Sequence, residues 1–176
     1  MIEDLERSMF CARANFLVAG GLVTYTETIG SYIQPYKNSK NGKKIKTTTG
    51  ERFYFFFKRL GNEYVNLQKR FWGKNYSKIY DDLRNGLLHE YVLKRKSFTV
   101  YGSDSILSDK QMLNLAPCGI ILDVIDDKWH FINPRYFVDF KNARNKYIDE
   151  LKKGTNDILK TNFDERSKEV NMVNFV

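Results

Sequence analysis

The sequence has few of the residues that build metal sites or disulfide frameworks. It contains two cysteines and two histidines among 176 residues. Cys11 and Cys118 lie far apart, and neither belongs to a CxxC or a Cys/His cluster. A structural zinc site and a disulfide scaffold therefore have no support, and we expect neither metal nor cofactor. Two isolated thiols fit a reducing compartment, where a buried structural role is the default expectation.

Long apolar runs are also missing. The longest, residues 16–23, is much shorter than the roughly 20 residues that a membrane-spanning helix needs. The first residues, Met-Ile-Glu-Asp-Leu-Glu-Arg, are acidic and amphipathic, unlike the basic flank of a signal peptide. The sequence predicts a cytoplasmic protein without membrane contact.

Aromatic and basic residues are abundant instead. Phe, Tyr and Trp make up 15% of the chain, so it can bury enough apolar surface to offset its conformational entropy. The formal net charge is +8, with a pI of about 9.4. A positive field attracts polyanions, of which nucleic acid is the commonest, but excess lysine also simply keeps a protein soluble. Composition leaves both interpretations open.

Apolar periodicity predicts a single, mainly α-helical domain. Steps of three and four residues predict helices over residues 3–34, 51–72, 75–93 and 135–159. In the first, Gly20-Gly21 marks either a bend or the close approach of another helix. The second should break near Gly61-Asn62, and its aromatic run 53–57 is expected in the core rather than as a base-stacking surface.

The pattern changes between the third and the last helix. Residues 97–101 alternate like a strand, and segments 119–125 and 128–132 flank Asp126-Asp127 as in a β-hairpin. We therefore expect a helical domain over residues 1–160, with a small β-hairpin or sheet insertion at about 97–132 before the last long helix. A polar, loosely held tail should cover residues 161–176.

Two basic segments are candidate phosphate contacts. Residues 37–50 are rich in Lys, Asn and Ser and predict an exposed, mobile loop. A second group of cations suits the carboxyl end of the 75–93 helix. The candidate nucleic-acid-binding residues are Lys40, Lys43, Lys44, Lys46, Lys94, Arg95 and Lys96. Simple solvation is the alternative role for all of them.

The segment from Arg84 to Tyr91 concentrates groups suited to phosphodiester chemistry. His89 can transfer protons near neutral pH, and the planar donor fork of Arg84 suits phosphate. Acid–base cleavage needs a group that moves a proton and another that stabilises charge on the phosphoryl oxygens. The alternative is structural, with Arg84 paired to a carboxylate such as Asp81 and His89 packed in the core.

Helix geometry separates the two candidate catalytic side chains. At roughly 100° per residue, Arg84 and His89 diverge by about 140° on a regular helix. Asn85 and His89 share one face, while Arg84 and Tyr91 nearly share another. Either Gly86 permits a local distortion, or a second copy of the helix completes the site. The second option favours a homodimer with a composite site.

Arg84-x4-His89-x-Tyr91, with Asn85 directly after the arginine, resembles the R-x4-H-x-Y motif of HEPN domains, a superfamily that includes ribonuclease toxins. The resemblance implies a helical bundle that dimerises with its motif helices facing each other. In catalytic members, RNA is cut without metal. The predicted β-insertion is not part of the minimal bundle and can reshape the site.

The resemblance also implies roles for the matching residues. His89 would act as acid or base around the ribose 2′-hydroxyl, Arg84 would hold the scissile phosphate, and Asn85 would orient His89. Tyr91 matches the tyrosine to which a nucleotidyltransferase antitoxin attaches AMP in toxin members. Because some members bind without cutting, three functions stay open: a metal-independent endoribonuclease acting as toxin or defence protein, a non-catalytic RNA- or nucleotide-binding module, and a structural dimerisation protein.

Overall fold

The computed structural model describes residues 2–10, 15–73, 76–85, 87, 98–101, 116–123 and 128–171. Within them the chain is mainly α-helical, as predicted. The helices are α1 (Ile2–Phe10), α2 (Asn15–Ile33), α3 (Thr49–Phe57), α4 (Asn62–Trp72), α5 (Tyr76–Asn85), α6 (Asn133–Lys153) and α7 (Asp157–Asn171). The strands are β1 (Tyr36–Asn38), β2 (Lys44–Lys46), β3 (Phe98–Tyr101), β4 (Ile120–Asp123) and β5 (Lys128–Ile132).

Helix α2 runs through the core and packs most extensively against α3. Three rings of the aromatic run of α3 point inward: Phe53, Phe56 and Phe57 are completely buried, which confirms their predicted place in the core. Tyr54 and Phe55 are half-buried. Phe57 meets the ring of Tyr64 edge-on at 5.2 Å, and Tyr64 meets Tyr136 in the same way at 5.7 Å. These rings join α3, α4 and α6 into one apolar core.

The first helical segment doubles back on itself. Leu5 Cδ2 lies only 3.0 Å from the position that a Cβ on Gly21 would take. In one straight helix these residues would be about 24 Å apart, because each residue advances the axis by 1.5 Å. The predicted single helix over 3–34 is therefore wrong, and α1 lies against α2. The close approach expected at Gly20-Gly21 is confirmed.

The lysine-rich segment predicted as a mobile loop contains a short antiparallel hairpin. Strand β1 pairs with β2 in the register Tyr36↔Lys46, and Asn41-Gly42 lie in the turn between them. The amide of Gly42 donates to the carbonyl of Ser39 at 2.9 Å and closes this turn. Asn-Gly is a strong hairpin signal, so the sequence did carry the information.

The predicted β-insertion is confirmed in its described parts. Strand β4 pairs antiparallel with β5, and β3 pairs with the other edge of β5 in parallel, which the sequence did not predict. Ile132, the last residue of β5, directly precedes Asn133, the first residue of α6, with Pro134 in the first turn as expected. The sheet is therefore joined to the last helices without a loop.

The last helical segment is divided in two. Gly154 ends α6 with a left-handed φ of 60°, and its amide donates to the carbonyl of Leu151. The Asn156 side chain then accepts from the amide of Leu159 at 3.0 Å and caps α7. The prediction of one helix over 135–159 and a loose tail from residue 161 is corrected, because residues 157–171 form a helix that packs on α2.

Candidate functional site

The first half of the motif helix is fixed by a buried apolar stripe. Ile79 and Leu83 of α5, and Leu87 just beyond its end, are at most 3% exposed, as the three- and four-residue spacing predicts. The backbone at Leu87 is π-helical. Trp72, at the end of α4, donates from Nε1 to the carboxylate of Asp82 at 2.8 Å and ties the two helices together. These contacts set the rotation of α5 about its axis, and so decide which residues face solvent.

Arg84 lies on the solvent side of the last turn of α5. Its Cζ is 5.8 Å from the centroid of the Tyr80 ring, a cation–π contact one turn back along the helix. Within the described residues it forms no ion pair with Asp81, the structural role considered above. The guanidinium is thus held over a ring while its edges can reach an anion.

Tyr80 is almost completely buried, and two other helices hold it. Its ring packs against Phe53 of α3 with centroids 5.4 Å apart. Its hydroxyl donates to Glu27 Oε2 of α2 at 2.7 Å. Burial, and then the hydrogen bond to Glu27, raise the pKa of Tyr80 well above its ordinary value, so the phenol stays neutral. Neither Tyr80 nor Glu27 is among the candidate residues that the sequence indicates.

The other motif residues are described less fully. Asn85 is the last residue of α5 by its backbone, and its side chain lies outside the described part. His89 and Tyr91 lie outside the described residues, as do Lys94, Arg95 and Lys96. The structure therefore places Arg84 and the backbone of Asn85. The relation of His89 and Tyr91 to Arg84 stays a prediction.

The candidate lysines of the hairpin have different surroundings. Lys44 pairs with Glu165 at 2.7 Å and Lys46 with Glu169 at 3.4 Å, both across to α7. Lys40 and Lys43 lie exposed at the turn. Hydrogen bonds from Tyr36 and Arg166 lower the pKa of Glu169 to about 2, so its negative charge persists beside Lys46 at neutral pH. Two of the four lysines thus already face carboxylates.

Neutralising those carboxylates should strengthen polyanion binding. In Glu165→Gln combined with Glu169→Gln, Lys44 and Lys46 lose their competing partners and become available to phosphate. The lysines are exposed and the two carboxylates are half-buried, so the ion pairs contribute little to stability. An amide oxygen at position 169 can still accept from Tyr36 and Arg166, so the fold should survive. We expect tighter binding of single-stranded RNA, with a log K against log salt slope steeper by about 1.4, since each phosphate contact adds about 0.7.

Fluorescence anisotropy over a salt series measures this slope. The matched control is Glu3→Gln combined with Asp149→Asn, which makes the same change in net charge at exposed positions of α1 and α6. If both double variants steepen the slope equally, general charge rather than the hairpin lysines explains the gain, and the prediction is wrong.

A second polar cluster lies buried between α4, α6 and the start of β4. Tyr64 donates from its hydroxyl to Asp139 Oδ2 at 2.8 Å and accepts from the amide of Gly119 at 2.8 Å. Arg135 completes the cluster through a 2.9 Å bond to the same carboxylate oxygen. Only the i,i+4 spacing of Arg135 and Asp139 was visible in the sequence. Every polar group named here has a partner, which fits a structural junction.

Cys118 lies beside this junction. Burial raises the pKa of its thiol to about 11, and Sγ donates to the carbonyl of Ile120 at 2.9 Å. A neutral thiol is a poor nucleophile and a poor metal ligand, so this cysteine is structural, in line with the default expectation. A groove of about 240 Å³ between α4 and β4 is smaller than the 300–1,000 Å³ typical of small-molecule sites.

Among the described residues, no group of three or more His, Cys, Asp or Glu side chains has the arrangement to hold a metal ion. No described helix, including the 19-residue α2, combines the length and the apolar composition needed to cross a bilayer. Comparison of the chain with protein-family models, with curated proteins and with solved structures found no match.

Proposed function

We propose that this chain is an endoribonuclease of the HEPN type that cleaves RNA without a metal ion. The observation that carries the proposal is the presentation of Arg84 on the exposed side of α5, over Tyr80, within the sequence Arg84-Asn85-x3-His89-x-Tyr91. A buried or carboxylate-paired arginine at this position would instead favour a structural motif. The net charge of +8 is consistent with a polyanionic substrate.

The proposed reaction is transesterification at the ribose 2′-hydroxyl. His89 takes the 2′-hydroxyl proton as the oxygen attacks phosphorus, and the bond to the 5′-oxygen breaks. The leaving oxygen takes a proton from water, and the products are a 2′,3′-cyclic phosphate and a 5′-hydroxyl. Arg84 stabilises the charge that builds up on the phosphoryl oxygens, and Asn85 orients His89.

The proposed active unit is a homodimer. On a regular α-helix, Arg84 and His89 would diverge by about 140° and face different directions. The π-helical backbone at Leu87 would reduce this angle, and a homodimer is the arrangement that needs no such distortion. Two motif helices packed against each other would bring Arg84 of one protomer near His89 of the other. The homodimer then supplies both groups to one phosphate.

The resemblance further suggests a toxin or defence protein that acts in the cytoplasm. Tyr91 is the proposed site at which a nucleotidyltransferase-type antitoxin would attach AMP. An AMP group two residues from His89 would add bulk and negative charge next to the scissile phosphate. The expected consequence is loss of cleavage.

Replacement of either proposed catalytic residue should abolish RNA cleavage. We expect Arg84→Ala and His89→Ala each to lower the cleavage rate by about 10²–10⁴-fold in the presence of EDTA, because each removes a group that acts in the transition state. The matched control is Lys78→Ala, which removes an exposed cation from the same helix and should retain activity. Gel analysis of a labelled RNA measures the rates.

Cleavage that survives both substitutions would contradict the assigned site. Cleavage that disappears with EDTA in the native protein would contradict the metal-independent route. If the native protein binds RNA in a salt-dependent way and never cuts it, the chain is a binding module. If it forms a dimer and has no affinity for RNA at low salt, the chain is a structural dimerisation protein.

A further inference from the structure

The contact beneath Arg84 is anchored by three helices rather than by α5 alone. Tyr80 of α5 carries the guanidinium at 5.8 Å, Phe53 of α3 packs against the Tyr80 ring, and Glu27 of α2 accepts from its hydroxyl. Residues 27 and 80 are 53 positions apart in sequence. Such a ring can neither rotate nor tilt without disturbing the core, so the surface under Arg84 has a fixed place.

A cation–π contact restrains an arginine without occupying its hydrogen-bond donors. The ring attracts the positive charge and accepts none of the conventional hydrogen bonds, so the N–H groups stay free for a phosphate. An unrestrained arginine loses rotamer freedom when it binds, and a preorganised one loses less. Loss of the Tyr80 ring should therefore weaken phosphate binding only in a protein that still carries Arg84.

We propose that Tyr80 and Glu27 are positioning residues for Arg84, with the Tyr80 ring holding the guanidinium in place for a phosphodiester and Glu27 fixing the ring. The inference rests on the proposed function in taking the anion to be an RNA phosphate. Neither residue touches the substrate in this scheme. The Tyr80 phenol stays neutral and keeps the proton that it donates to Glu27.

The chain offers a matched control for the ring itself. Lys58, directly after α3, lies over Tyr54 with its Nζ 5.8 Å from the ring centroid, the same separation as at Arg84, and over Phe55 at 5.3 Å. A general effect of removing a ring beneath a surface cation should appear equally in Tyr54→Leu. An effect specific to the site should appear in Tyr80→Leu alone.

The test is a double-mutant cycle read by binding. A 2′-O-methyl RNA oligonucleotide cannot be cleaved through the 2′-hydroxyl, so its affinity, measured by fluorescence anisotropy, does not depend on catalysis. Tyr80→Leu should weaken binding about two- to fivefold in the native background, the range expected for an exposed cation–π contact. It should have no effect in the Arg84→Ala background. Tyr54→Leu should leave the affinity unchanged in both.

Conservative variants keep the test open if Tyr80→Leu fails to fold. Tyr80→Phe retains the buried ring and loses only the bond to Glu27, so it should weaken binding less than Tyr80→Leu. Glu27→Gln retains an acceptor for the hydroxyl and should bind like the native protein, whereas Glu27→Ala should match Tyr80→Phe. In NMR spectra, the Arg84 side-chain protons should be shifted upfield by the ring, and Tyr80→Leu should abolish this shift.

The outcomes separate the two proposals. An oligonucleotide affinity that depends on Tyr80 equally with and without Arg84 would overturn the positioning role, because the ring would then act through the fold. An Arg84 spectrum unchanged by Tyr80→Leu would overturn it as well. If the effect of Tyr80→Leu on binding requires Arg84 and the native protein cleaves no RNA, the positioning role stands and the nuclease proposal fails.

Discussion

Mixing two inactive variants is expected to restore RNA cleavage. Arg84→Ala lacks the phosphate-stabilising group and His89→Ala lacks the proton carrier, so each homodimer should be inactive. In a mixed dimer, one of the two composite sites takes Arg84 from one protomer and His89 from the other, and that site is intact. Random exchange makes half of the dimers mixed, so about a quarter of native activity should return.

The reason for this expectation is the rotational setting of α5. Burial of Ile79, Leu83 and Leu87 fixes one face inward, and Arg84 consequently faces solvent. A regular α-helical continuation would turn His89 about 140° away from it, too far for both side chains to reach one phosphate. The π-helical backbone at Leu87 departs from that geometry and would reduce the angle, so the mixing experiment decides between the two arrangements. A site completed within one protomer needs a distorted helix, and mixing would then restore nothing.

The control for mixing is a variant that carries both substitutions. Combined with His89→Ala, it leaves every site of every dimer without a histidine, so no activity should return. Exchange itself is verified by copurification of protomers that carry two different tags. Mixed dimers that form and remain inactive would rule out a composite site. Arg84 and His89 could then act together only within one protomer.

A methyl group at Gly30 is expected to disrupt the packing of α2 on α3. A Cβ at this position would lie 1.7 Å from the carbonyl oxygen of Arg52 and 2.6 Å from its carbon. That carbonyl belongs to a helix whose start is fixed by a capping box between Thr48 and Glu51, so the backbone cannot move alone. The two helices would have to separate.

We expect Gly30→Ala to lower the free energy of unfolding by about 3 kcal/mol, the upper part of the range for overpacking. For a chain of this size, Tm should fall by about 6–12 °C in a thermal melt. Gly21→Ala is the control, since its Cβ would meet only the end of the Leu5 side chain at 3.0 Å. Equal melting temperatures for the two variants would contradict the prediction.

Gly30 also bears on the candidate site. It lies one turn after Glu27 on α2, and Arg52 directly precedes Phe53 on α3. Both Glu27 and Phe53 hold Tyr80, so the spacing of the two helices sets the position of the ring beneath Arg84. From this arrangement we expect Gly30→Ala to bind the oligonucleotide more weakly than the native protein. The loss of affinity should be larger than the fraction of unfolded protein explains.

Local sequence patterns correctly predicted the elements that are determined by residues close together in the chain. The alternation of the β-insertion, the break at Gly61 and the buried stripe of α5 all follow from period and turn chemistry. The exposed side of Arg84 follows from the same stripe. These features need only the identity of residues a few positions apart.

The remaining features depend on contacts between distant residues. Apolar spacing continues through residues 3–34, so it does not show that α1 reverses onto α2. The parallel pairing of β3 with β5 and the bond from Tyr80 to Glu27 depend on how the helices pack, which no local period encodes. The Asn41-Gly42 turn and the Gly154 cap differ, because each is a local signal that the sequence itself carries.

The parallel pairing of β3 has a consequence for a chain that is still being synthesised. Within the described residues, β3 finds its partner only in β5, which ends 31 residues later, at Ile132. At roughly 5–20 residues per second, a ribosome needs on the order of seconds to add that stretch. Throughout this interval the segment between α5 and β3, which carries His89, has a docked helix before it and an unpaired strand after it. Maturation of the proposed nuclease therefore waits for the carboxyl-terminal third of the chain.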